Sequence, residues 1–182
     1  MRVITGTARG RKLKTLDGND VRPTTDKIKE AMFSAVQFEL EGAVVLDLFT
    51  GSGQLGIEAI SRGAQKCYFV DSAAASLNVV KENIKTVGFE KNSFVFQSDY
   101  NTFLANSKDK FDIVFLDPPY HKGLIEKVLN LLDGKLSFGA KVICEHEREA
   151  ELPEAIGNLK IKKSYRYGNI TVTIYENGGD AD

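Results

Sequence analysis

The run Val44-Val45-Leu46-Asp47-Leu48-Phe49-Thr50-Gly51-Ser52-Gly53-Gln54-Leu55-Gly56 constrains this chain more than any other stretch. It opens as a nearly continuous apolar strand, the pattern expected when helices cover both faces of a sheet. Glycines at 51, 53 and 56 then permit a tight turn and a helix start. Beyond it the same alternation repeats. Strands are predicted at about 43–48, 66–71, 92–97, 112–117 and 140–145, and helices at about 53–62, 73–87, 99–106 and 121–132. Leu77, Val80, Ile84 and Val87 share one face of the second helix, and Leu124, Ile125, Val128, Leu131 and Leu132 one face of the last. The β-rich runs Leu159–Tyr165 and Asn169–Tyr175 flank Arg166-Tyr167-Gly168, which predicts an antiparallel hairpin. The expected fold is α/β: a mostly parallel, doubly wound, seven-stranded sheet ending in that hairpin.

The N-terminal part departs from this alternation. Residues 2–15 read as a short β-hairpin arm, with Gly6 and Gly10 permitting turns. Arg22-Pro23-Thr24-Thr25-Asp26 is a loop closing on a helix whose apolar stripe is Ile28, Ala31, Met32, Ala35 and Val36, with Thr24, Thr25 or Asp26 able to cap it. The 182 residues carry a net charge of −1, yet residues 1–14 hold five basic side chains and no acid. A basic arm on a neutral body suits contact with phosphates, or is simply a solvated hairpin. Arg2, Arg9, Arg11 and Lys12 are the candidate phosphate contacts. The chain reads as one domain, residues 1–182, with a basic arm over 1–22, a core over 23–176 and a disordered tail over 177–182. Cys67 and Cys144 fall inside predicted strands and read as reduced core residues. The sequence carries neither an apolar run long enough for a membrane nor a signal-peptide core, so a cytoplasmic monomer is expected.

Gly51-Ser52-Gly53-Gln54-Leu55-Gly56 fits G-x-G-x-x-G, and Asp71 lies at the end of the next predicted strand. That pattern also serves dinucleotides. Asp47 favours a different cofactor, S-adenosylmethionine (SAM): a carboxylate beside the loop repels a pyrophosphate and attracts an ammonium. The helix starting near Gly53 presents free N–H groups to a carboxylate. Asp71 can accept two ribose hydroxyls. Asp99, just past the third strand, can accept from an adenine amine, with the Tyr100 N–H near a ring nitrogen. All three acids sit at the sheet edge where such folds bind ligands.

Asp117-Pro118-Pro119-Tyr120 follows the apolar run Phe111–Leu116. The Asp117 carboxylate and the Pro118 carbonyl can each accept a hydrogen bond from an exocyclic amine, aiming its lone pair and stabilising developing positive charge. The prolines fix the backbone and remove competing donors. Tyr120 can stack on an extruded base. Cys and His lack metal-ligand spacing, and an activated methyl donor needs no metal.

Taken in order, Arg2-Val3-Ile4 with Arg9-Gly10-Arg11, Arg22–Phe33, the glycine loop and Asp117–Tyr120 resemble the RsmD-like family over essentially the whole chain. That resemblance implies a class I SAM-dependent methyltransferase fold (Rossmann-like) acting on the N2 amine of a guanine in small-subunit ribosomal RNA, either free or within an assembling subunit. It implies that Asp117 and Tyr120, with Pro118 and Pro119, serve the guanine. Asp47, Phe49, Gly51, Gly53, Asp71, Asp99 and Tyr100 would serve SAM, with Arg22, Thr24 and Asp26 near it and the arm arginines toward RNA. Asp71 stands where the family often has Glu, and Lys27 and Lys29 where it often has Arg, which loses bidentate geometry. Three other readings stay open: an adenine-N6 methylase on DNA or RNA, a nicotinamide-dependent oxidoreductase and a non-enzymatic RNA-binding module.

Overall fold

A computed structural model describes residues 1–16, 25–119 and 123–179. Eight strands form one sheet: β1 (Val44–Leu48), β2 (Lys66–Asp71), β3 (Ser93–Gln97), β4 (Phe111–Leu116), β5 (Leu136–Glu147), β6 (Ala155–Ile156), β7 (Leu159–Tyr167) and β8 (Ile170–Asn177). Their order is β3-β2-β1-β4-β5-β8-β7-β6. The first five pair in parallel and the last three antiparallel. The helices are α1 (Asp26–Ser34), α2 (Gln54–Ser61), α3 (Ala74–Val87), α4 (Tyr100–Asn106) and α5 (Leu124–Leu131).

Helices cover both faces, which is why the central strands are apolar throughout. On one face α1, α2, α3 and the arm bury Met32, Phe33, Ile57, Val80 and Ile84 against Val45, Phe69, Phe115 and Val172. On the other, α4 and α5 bury Leu104, Val128 and Leu129 against Leu46, Val114 and Val142. The chain runs outward from β1 to β3, then returns to lay β4 against the free side of β1. The C-terminal ends of β1 and β4 therefore form the switch point where open α/β sheets leave a crevice.

The predicted elements are present, with five differences. Ala155–Ile156 adds an eighth strand, pairing with Leu159 and Lys160. β5 is twice as long as its apolar core, because Lys141–Glu147 pair with β8 while Leu136 pairs with Phe111 across a bulge. β3, read as covered on both faces, is the sheet edge, and its Phe94 and Phe96 are half exposed and stack on Tyr68. Asn177, expected in the tail, is the last residue of β8, and the Gly178 N–H donates to the Asn158 carbonyl. The hairpin turn is Gly168-Asn169, since Tyr167 pairs with Ile170.

Thr25 caps α1, its hydroxyl accepting from the Ile28 N–H. The buried face of that helix includes Phe33 and the charged Lys29, which the apolar stripe did not contain. Among the described residues, no helix is long and apolar enough to cross a membrane.

Candidate functional site

The loop after β1 turns sharply. Gly51 and Gly53 take left-handed backbone angles (φ 56° and 81°), and so does Phe49 (φ 73°). A side chain at such an angle costs on the order of 1 kcal/mol. The turn is held against that cost by its neighbours. The Phe49 and Thr50 N–H groups donate to the Val70 carbonyl, and the Gly51 N–H donates to Asp71 Oδ2 at 3.0 Å. Gly56 lets α2 lie directly on β2: a Cβ there would sit 2.3 Å from the Phe69 ring and 2.6 Å from Cys67 Sγ.

Asp47 holds the same loop from beneath. Its Oδ2 accepts from Thr50 Oγ1 at 2.7 Å and from the Gly56 N–H at 3.0 Å. Burial pushes its carboxyl up to about 7 against those two bonds, and the charges of Asp117 and Asp71 add to the rise.

Above the loop lies a cavity of about 580 Å³. Leu48 and Val70 give it apolar wall, with Phe49 and Tyr100, whose ring centroids lie 5.8 Å apart. Asp71, Ser72, Ser98 and Asp99 line one part; Thr50, Ser52, Gln54 and Met1 line another; Asp117, Pro118 and Pro119 also reach the wall. Asp71 Oδ1 accepts from the Ala73 N–H, so each of its oxygens holds one backbone donor and keeps a lone pair for another. Asp99 caps α4: Oδ1 accepts from the Thr102 N–H at 2.9 Å, and that bond holds its carboxyl below the usual range. Gln54, the first residue of α2, is buried, and its Oε1 has no hydrogen-bond partner among the described residues.

Of the residues predicted to serve a cofactor, Phe49, Gly51, Asp71, Asp99 and Tyr100 line the cavity. Asp47 and Gly53 do not; one supports the loop and the other caps α2. Asp26 also stands apart, at the start of α1, where it pairs with Arg2 at 3.5 Å. Arg22, Thr24 and Tyr120 lie outside the described residues. Met1, Ser52, Gln54, Ser72 and Ser98 were not anticipated. Gln54 alone left a sequence signal, a long polar side chain inside the glycine loop at a helix start.

The arm does not wave freely. Val3, Ala8 and Leu13 are buried, and Arg2 bridges Lys12 in a short antiparallel turn. Glu58 of α2 accepts the Ile4 and Thr5 N–H groups at 2.8 and 2.9 Å. Arg62 and the buried Lys29 balance that carboxylate, and Lys29 Nζ also donates to the Arg2 carbonyl. Burial pulls the Lys29 amine below its usual range in spite of Glu58. Arg2, Arg9, Arg11 and Lys12 are left exposed on the outer side.

A second cavity, about 270 Å³, shares Pro118 and Pro119 with the first and is bounded by Ile125, Glu145, His146 and Leu152. No group of His, Cys, Asp and Glu among the described residues could hold a metal ion. Cys67 and Cys144 are free and buried, and burial pushes both thiols up.

Residues 1–176 match the model of a family described as "Conserved hypothetical protein 95". The chain is 41% identical to "Putative rRNA methyltransferase YlbH" of Bacillus subtilis, over 98% of this chain and all of that one. It is 35% identical to "Ribosomal RNA small subunit methyltransferase D" of Escherichia coli, over 97% and 89% of the two chains. Among solved structures, "Putative methyltransferase yhhF from Escherichia coli" superposes with a TM-score of 0.89 at 33% identity, covering 99% of both. A strained glycine loop beside an Asp-Pro-Pro wall, and this likeness over nearly the full length, lead to one conclusion: the chain belongs to the conserved hypothetical protein 95 family, the RsmD-like family of its motifs.

Proposed function

We propose that this protein transfers a methyl group from SAM to the exocyclic N2 amine of a guanine in small-subunit ribosomal RNA. Methyl transfer to ribosomal RNA follows from the relatives. The guanine N2 target is the finer reading. It rests on the RsmD-like motifs, and the observation that supports transfer to an exocyclic amine is that Asp117-Pro118-Pro119 and the acids Asp71 and Asp99 wall the same cavity.

The residues present fit SAM. Gln54 Oε1 is a buried acceptor with no donor among the described residues, and an ammonium would supply one. Asp71 retains lone pairs for vicinal hydroxyls, and Phe49, Leu48 and Val70 give a planar base apolar wall. When bound, SAM supplies a methyl on a sulfonium, already activated. Asp117 and the Pro118 carbonyl accept the two amine hydrogens, turning the nitrogen lone pair toward that methyl. With the cofactor bound, Asp117 would also take up the proton that the amine loses and pass it to solvent. The exposed arm contacts phosphates and positions the RNA. Arm and core act as one unit, because Glu58 ties them together.

Tritiated methyl transfer onto free ribosomal RNA, unmodified small subunits and duplex DNA tests this, with the labelled nucleoside identified after digestion. Label in N2-methylguanosine is expected. Label in N6-methyladenine would keep the chemistry and refute the substrate. Asp117→Ala is expected to abolish transfer with S-adenosylhomocysteine binding nearly intact; equal loss of both refutes its assigned role.

A further inference from the structure

Strand β7 is the most lopsided stretch outside the arm. Its nine residues, Leu159–Tyr167, hold Lys160, Lys162, Lys163 and Arg166 with two tyrosines and no acid. Leu159 and Lys160 pair with the two-residue β6 and the Ile161 N–H donates to the Glu154 carbonyl, so the strand beyond Ile161 is a sheet edge. Lysines on an edge strand often serve only to prevent pairing with another chain. Two features of the fold go beyond that.

The first is place. β8 runs antiparallel to β5, and β7 antiparallel to β8, with Glu147 opposite Ile170 and Ile170 opposite Tyr167. Leu116 pairs with Cys144 in turn. The end of β7 that carries Tyr165, Arg166 and Tyr167 thus reaches the sheet edge where Asp117 stands. The Arg148 N–H donates to the Asn169 carbonyl and adds a further cation beside the hairpin tip.

The second is continuity. Tyr165 and Tyr167 are half-buried on the face shared with α1. The Lys27 ammonium lies over the Tyr167 ring at 5.9 Å, and the Lys163 ammonium over Tyr165 at 5.0 Å. Next to Lys27, Asp26 pairs with Arg2 of the arm, and Lys29 donates to the Arg2 carbonyl. Two basic segments from opposite ends of the chain are therefore bridged by α1 into one stripe of Arg2, Lys27, Tyr167, Tyr165 and Lys163. The acids beside it are Asp26, paired with Arg2, and Glu147, opposite Ile170. Cations interleaved with aromatic rings fit a phosphate backbone with unstacked bases, as in single-stranded or looped RNA.

We propose that this stripe is a second RNA-contacting surface, which with the arm carries a looped RNA across the catalytic edge. The proposal rests on the RNA reading above. Lys27→Glu with Lys163→Glu removes two cations from exposed positions and leaves the cavity untouched. The control is Lys85→Glu with Lys91→Glu, beside β3 at the far end of the sheet. Filter retention of unmodified small-subunit ribosomal RNA would be measured across salt concentrations, alongside calorimetry with S-adenosylhomocysteine and steady-state methyl transfer.

The stripe variant is expected to bind RNA on the order of 10-fold more weakly, with the slope of log K against log salt reduced by about 2. KM for RNA should rise while kcat and cofactor affinity hold, and the control should behave as wild type. Equal RNA affinity and salt slope in wild type and stripe variant overturn the proposal, leaving the lysines as edge-blocking charges. Equal losses in stripe and control variants overturn it as well, since any cation would then do. Wild type that retains no RNA overturns both this surface and the functional reading.

Discussion

Replacing Asp47 by Asn separates the carboxylate's charge from its shape. Asp47 Oδ2 accepts two hydrogen bonds that an amide oxygen in the same place can also accept. The charge is what the site tolerates badly: desolvation lifts the carboxyl from 3.8 to about 7. Because the folded-state value is raised, the protonated form is favoured by folding. The resulting stability is fully present below pH ~4 and is lost as pH rises through about 7. A shift of that size corresponds to at most about 4 kcal/mol at 1.36 kcal/mol per unit, and a loop that relaxes or admits water reduces it to about 2 kcal/mol. Urea unfolding of wild type and Asp47→Asn from pH 4.5 to 8 reads the effect as a difference, in which every other group cancels. Wild type should lose stability relative to the variant by about 2 kcal/mol across that window, and the variant should be the more stable of the two at pH 8. A difference that stays flat with pH, or one in which wild type gains, refutes the burial argument.

The same carboxylate makes a second prediction. The Asp47 carboxyl, raised to about 7, ionises between pH 6 and pH 8, so a cationic ligand in the neighbouring cavity should bind more tightly at pH 8. SAM calorimetry should show this, and Asp47→Asn should flatten it. Gln54→Ala removes the orphaned acceptor; SAM affinity should fall on the order of 10-fold with folding stability unchanged or improved. Gly56→Ala forces a methyl to within 2.3 Å of Phe69, and thermal unfolding should register a loss of about 2–3 kcal/mol. Glu58→Ala leaves Lys29 buried beside an empty position and frees the Ile4 and Thr5 N–H groups; a loss of about 3–5 kcal/mol is expected, with the arm becoming susceptible to proteolysis.

The sequence by itself determined the sheet and its punctuation. Apolar runs at Val44–Leu48 and Phe111–Leu116, each interrupted by a single Asp, leave no polar face for solvent, so helices must cover both sides. Gly51 and Gly53 mark the turn because left-handed angles are inexpensive only for glycine. Asp71, Asp99 and Asp117 were legible because strand ends in a parallel sheet all meet one edge. Tertiary structure decided the rest. A strand's pattern does not reveal whether it lies at an edge, so the exposure of Phe94 and Phe96 on β3 depended on strand order. An acid beside a glycine loop reads as a ligand contact, and only packing turned Asp47 downward to Thr50 and Gly56. The buried pair of Lys29 and Glu58 joins helices far apart in the chain, and no local periodicity foretells it. The same is true of the stripe from Arg2 to Lys163: its residues become neighbours because β8 returns antiparallel to β5 and carries β7 back to the edge where the chain began.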